Sequence, residues 1–155
     1  MSISKYTTIE EALFSPTAER KGIINAPSKA EHISNMRVFC ENMYDPLCEH
    51  YGFKIPYTSF YRNPETNKAI GGSSTKSQHM IGQAMDICPR GYLGLSNTAL
   101  FDYIRKNMPF DQLIWEYGNS TEPAWVHVSY STLNRRQVLK AYKVNNATKY
   151  DPYDD

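Results

Sequence analysis

The sequence lacks any apolar run approaching the ~20 residues a membrane-spanning helix needs, so no span is expected. Met1 to Tyr6 contains no apolar stretch of signal-peptide length, and the chain is expected to be made in the cytoplasm without a cleaved leader. Charge of one sign is also missing. Seventeen Lys and Arg against sixteen Asp and Glu leave a formal net charge of +1. That gives no general attraction to polyanions, so nucleic acid is not an expected partner. Cysteine is scarce: Cys40, Cys48 and Cys88 are three in number, with no Cys-x-x-Cys pair. This pattern argues against a disulfide scaffold or a thiolate zinc knuckle and leaves buried free thiols. Internal repeats and low-complexity segments are absent as well.

What is present is ordinary globular material with one unusual stretch. The 155 residues are 41% hydrophobic and 21% charged, which suits one soluble domain with a real core. Within them, Ser77-Gln78-His79-Met80-Ile81-Gly82-Gln83-Ala84-Met85-Asp86 places an imidazole and a carboxylate seven residues apart, with a glycine between them. Gly82 permits a tight bend that a residue with a Cβ would resist. Beyond it Ala84, Asp86 and Cys88 fall on one face of an extended run, with Met85 and Ile87 on the other. His79 and Asp86 can therefore converge on one point, as metal ligands must. They make up part of a catalytic zinc site, which has three protein ligands and a fourth, open position.

A third ligand is sought among the remaining histidines. His32 and His50 lie in a polar, helix-like stretch and are expected on the surface. His127 sits in Trp125-Val126-His127-Val128-Ser129-Tyr130, an aromatic and β-branched run that reads as a strand. There Trp125, His127 and Ser129 share a face. Cys88, on the face of Asp86, is a further candidate neighbour of the metal.

Along the chain, Thr7 to Phe14 reads as a short helix that Ser15-Pro16 ends. Ser28 can cap a helix from Lys29 to about His50, with a kink or restart at Pro46 and a stop at Gly52. Residues 55–61 read as a strand, with Pro56 marking an edge or a strand start. Residues 63–70 form a helix, and residues 71–75 a flexible loop leading to the metal motif. Ser96-Asn97 can cap a helix from Thr98 to Met108. Residues 111–117 and 124–130 make a hairpin, and residues 134–142 a last helix or strand. The expected organisation is a single domain over residues 1–145, followed by a loosely ordered polar tail over residues 146–155. The fold class is α+β, with N-terminal helices on a small antiparallel sheet that carries the metal site.

These residues resemble the zinc D-Ala-D-Ala carboxypeptidase and endopeptidase family, which cuts peptidoglycan stem peptides. Its S-x-H-x-x-G-x-A-x-D motif is matched from Ser77 to Asp86, and its W-x-H strand by Trp125-Val126-His127. Tyr61-Arg62 with Pro64-Glu65-Thr66-Asn67 is similar to its Y-R-x-x-x-x-N segment, and Gly71-Gly72 to a glycine pair. Asp111 to Glu116 is similar to its D-Q-L-I-x-E strand, and Ala18 to Pro27, with Asn25, to its leading segment. Phe60 stands where the family usually has glycine.

The resemblance implies a Hedgehog/DD-peptidase-like fold and Zn²⁺ held by His79, Asp86 and His127. Glu116 is implied as the general base, with Glu122 competing for that role. A hairpin loop centred near Thr121 would set Glu116 across from Val126 or His127. Arg62 would stabilise the oxyanion or grip a substrate carboxylate. Ser77 would bind substrate or support the ligands. The implied activity is peptidoglycan hydrolysis by a monomer, in cell-wall lysis or remodelling, delivered by a phage lysis (endolysin) or virion system. The alternative is a catalytically inactive metal-binding or wall-binding module of the same fold.

Overall fold

The computed structural model describes residues 1–71 and 74–154, so Gly72 and Ser73 of the expected glycine pair and loop lie outside the described residues. The chain divides into two compact units. Unit 1 comprises Met1–Lys54 and Ser59–Met85, and unit 2 comprises Ile55–Thr58 and Asp86–Asp155.

Unit 1 is helical, and its helix ends follow from local chemistry. α1 (Ile9–Leu13) starts at a capping box in which Thr8 and Glu11 satisfy each other's backbone N–H. α2 (Pro16–Arg20) begins directly after Ser15, which caps Ala18 N. α3 (Ala30–Phe39) starts one residue later than expected, with Lys29 rather than Ser28 at its cap. It runs into a π-helical turn, Cys40–Tyr44, and then α4 (Asp45–Tyr51), which Gly52 ends in the left-handed region. The expected interruption at Pro46 thus takes the form of a widened turn. Pro46 has no N–H for the carbonyl four residues back, and Asp45 N instead bonds Cys40 O five residues back. α5 (Pro64–Ile70) is capped by Asn63. Met36, Phe39, Met43, Tyr44 and Leu47 are fully buried, with the rings of Phe39 and Phe60 5.4 Å apart. His32 is buried on this same stripe, four residues before Met36, which corrects the surface placement. Its Nδ1 lies 3.2 Å from Tyr61 Oη, and burial pushes the Tyr61 phenol up from its ordinary pKa.

Unit 2 is built on a sheet. The strands are β1 (Tyr57–Ser59), β2 (Ala84–Ile87), β3 (Gln112–Glu116), β4 (Trp125–Ser129), β5 (Gln137–Val144) and β6 (Ala147–Pro152), in the order β1-β2-β4-β3-β5-β6, and all but Ser59, Ala84 and Met85 belong to unit 2. The sheet is mixed rather than wholly antiparallel. β4 and β5 flank β3 on opposite sides, so β5 runs parallel to β3. The crossover is anchored at Asp111, whose carboxylate accepts from Arg135 N at 2.9 Å, Nε at 3.0 Å and Nη2 at 2.9 Å. The tail is not loose: Ala147–Pro152 pairs antiparallel with β5, from Leu139 opposite Pro152 to Val144 opposite Ala147. α6 (Asn97–Asn107) supports the sheet through buried Leu100, Phe101 and Ile104, with the Phe101 ring 5.3 Å from Trp115.

Candidate metal centre

His79 sits in a single 3₁₀ turn, Gln78–Ile81, whose N-cap is Ser77. The Ser77 hydroxyl accepts from His79 N at 3.2 Å, so this serine holds the backbone of the turn that carries the imidazole. The ring is buried, and its Nδ1 lies 2.7 Å from Phe60 O. A carbonyl only accepts, so Nδ1 carries the proton and the ring's lone pair is on Nε2. A backbone acceptor of this kind fixes the tautomer and orientation of a ligating histidine.

Gly82 closes the turn at φ +77°. A Cβ there would stand 2.4 Å from His32 O and 2.9 Å from Met36 Cγ. The glycine is required both for its backbone conformation and for close approach to α3. From it the chain enters β2, which is buried on both faces and carries Asp86.

In unit 2, β4 lies between β2 and β3. His127 Nδ1 is 3.1 Å from Asp86 Oδ1, and both residues are buried. One ligand atom from each of His79, Asp86 and His127 lies within 4.8 Å of the others. Two atoms about 2 Å from a tetrahedral ion stand roughly 3.3 Å apart, so the Asp86–His127 spacing fits shared coordination. Two imidazoles and a carboxylate are also a donor set that suits zinc. These three residues could hold a metal ion.

Glu116 is opposite Trp125, and Ile114 opposite His127. The hairpin is therefore centred between Ser120 and Thr121, near Thr121 as expected, but Glu116 pairs with Trp125 rather than with the expected Val126 or His127. The loop tightens because Asn119 Oδ1 accepts from Thr121 N at 2.9 Å and Glu122 N at 3.0 Å, while Ala124 N donates to Glu116 O at 2.9 Å. The shift decides a face. A register with Glu116 opposite Val126 would turn it away from His127, because a one-residue slip reverses every side chain. The observed pairing puts Glu116, Trp125 and His127 on one face, and Leu113, Trp115, Val126 and Val128 on the face packed by α6. Glu116 is 7% exposed.

Glu122 is exposed and its Oε1 accepts from Asn97 N at 3.0 Å, at the start of α6. Cys88 is not among the three grouped residues; its thiol donates to Ala124 O at 3.3 Å.

Arg62 is half-buried, and its backbone N donates to His79 O at 3.2 Å. Its neighbours are clamped by Asn25. Asn25 Nδ2 donates to Tyr61 O at 2.9 Å and Leu13 O at 2.8 Å, and its Oδ1 accepts from Asn63 N at 2.8 Å. Asn67 Nδ2 donates to Ser74 O at 2.9 Å, anchoring the approach to Ser77. Neither Asn25 nor Asn67 stands out in the sequence as a site residue; the signal for them is their place in the leading and Y-R-x-x-x-x-N segments.

A family model described as Peptidase M15 matches residues 5–129. The chain belongs to the Peptidase M15 family. The match spans the 3₁₀ turn, β2, β3 and β4, and so includes His79, Asp86, His127, Glu116, Arg62 and Ser77. Members of this zinc D-Ala-D-Ala peptidase family are metallopeptidases, and the α+β fold with its mixed sheet is consistent with membership. Among curated proteins none matches the chain. No helix among the described residues of this M15 peptidase is long and apolar enough to cross a membrane.

Proposed function

We propose that this M15 peptidase is a zinc-dependent hydrolase of peptide bonds in bacterial peptidoglycan, acting on stem peptides or cross-links in cell-wall lysis or remodelling. The observation that carries the proposal is the buried His79–Asp86–His127 group, with Glu116 on the sheet face of His127. His79, Asp86 and His127 would hold the ion. When bound, zinc lowers the pKa of water toward ~7 and polarises the scissile carbonyl. Glu116 accepts a proton from the attacking water and returns it to the leaving amine as the C–N bond breaks. Its burial beside Trp125 shields that transfer from bulk water. Arg62 takes the substrate's carboxylate or the developing oxyanion through its guanidinium fork, while Ser77 holds the turn that presents His79. Delivery to the wall by a phage lysis or virion system is part of the same proposal.

Mass spectrometry of fragments released from purified sacculi tests it. Soluble peptides with new termini should appear, vanish with chelator and return with Zn²⁺. Sacculi of several wall chemotypes left intact at full zinc occupancy would make the chain an inactive binding module instead.

A further inference from the structure

The chain leaving β2 and the chain entering β4 are tied together by one side chain of α6. Asn97 is the first residue of that helix, yet it is 1% exposed. Its Nδ2 donates to Pro123 O and Ala124 O, each at 3.0 Å, and its Oδ1 accepts from Arg90 N at 2.9 Å. Cys88, two residues past Asp86, donates to the same Ala124 carbonyl, and His127 lies three residues beyond it. Both amide donors and the amide acceptor are thus engaged across the gap between the two strands. A carboxylate here would face two carbonyls, and an apolar side chain would leave buried polar groups unsatisfied. The helix does not need Asn97 for its start, because Ser96 already caps Ala99 N at 3.0 Å.

We propose that Asn97 is a positioning residue for the metal centre: it holds β2's exit and β4's entry together and so sets the separation of Asp86 and His127 before the ion arrives. The inference rests on the zinc reading above. Asn97 touches neither ion nor substrate and acts through the two strands.

The test is a zinc competition titration of the full chain as wild type, Asn97→Ala and Asn97→Ser. His127→Ala serves as the ligand-loss reference and Ser96→Ala as the structural control, since it loosens the same helix end without touching the tie. Visible spectra of the cobalt-loaded proteins are recorded in parallel. Asn97→Ala should weaken zinc about 10- to 100-fold, the range for groups that orient a ligand, and shift the cobalt bands. Ser96→Ala should keep the wild-type zinc affinity and spectrum. Asn97→Ser, which removes less volume and keeps a hydroxyl, decides the matter if Asn97→Ala does not fold. Wild-type affinity in the Asn97 variants, or an equal loss in Ser96→Ala, overturns the inference while the zinc reading stands. Wild-type binding by His127→Ala brings down the zinc reading and this inference with it.

Discussion

Gly82→Ala separates two costs that the metal-motif turn combines. The first is backbone conformation: alanine held at φ +77° costs roughly 1–2 kcal/mol. The second is space. The new Cβ would lie 2.4 Å from His32 O and 2.9 Å from Met36 Cγ. Met36 Cγ belongs to a flexible side chain and can give, but the carbonyl belongs to α3 and can move only with its helix. Overpacking of this kind costs about 1–3 kcal/mol. The combined loss should be about 2–5 kcal/mol, a large share of the 5–15 kcal/mol typical of a domain. Gly52→Ala is the control. It sits in the same unit at φ +83° with nothing within 4 Å of the added Cβ, so it incurs only the backbone cost, about 1–2 kcal/mol. Urea denaturation of both variants in the presence of chelator measures the difference. Relief of the clash must displace the turn that carries His79, so Gly82→Ala should also bind zinc at least ~10-fold more weakly, as expected when a ligand loses its orientation. Equal denaturation midpoints for the two variants, or an unchanged zinc affinity in Gly82→Ala, would refute this reasoning.

Three further outcomes are expected. Glu116→Gln keeps its zinc but loses about 10²–10⁴-fold in turnover, the usual cost of removing a general base; Glu122→Gln, which alters only a contact at the start of α6, keeps its turnover. Glu11 has its carboxyl held below the ordinary 4.5, first by its hydrogen bond to Lys54 and further by the lysine's charge. Its stabilising contribution is therefore full above that value and is lost as pH falls through the lowered one; urea midpoints should be less acid-sensitive below pH ~5 in Glu11→Gln than in wild type. Cys40 has its thiol pushed up to about 12 by burial, and Cys48 and Cys88 are buried as well. A chromogenic thiol titration at pH 8 should find the cysteines protected in the native protein and accessible in denaturant, and rapid native labelling of Cys40 would contradict the burial argument.

The sequence revealed features fixed by local chemistry and missed those fixed by distant partners. The Ser77–Asp86 spacing, the left-handed glycine and the alternation around His127 are properties of consecutive residues. The capping box of α1 and the break at Pro46 are equally local. The hairpin register was missed by one residue because the Asn119 side chain, not loop length alone, sets where the turn closes. His32 looked like a surface residue because its neighbours are polar, yet its position four residues before Met36 puts it on the buried stripe. The parallel pairing of β3 with β5 depends on a crossover fastened by Asp111 and Arg135, 24 residues apart in sequence. The strand at 147–152 contains Lys149, Asp151 and Pro152 and is legible only once β5 offers it an edge. Asn97 read as a helix cap, which is the commonest role for asparagine at such a place, and its inward turn depends on carbonyls 26 and 27 residues away.

His79, Asp86 and His127 are expected to hold a zinc ion. Elemental analysis of the protein purified without chelator, alongside His79→Ala, Asp86→Ala and His127→Ala, tests it most directly. One zinc per wild-type chain and a large loss in each folded variant are expected. Unchanged zinc content in His79→Ala and Asp86→Ala would contradict it.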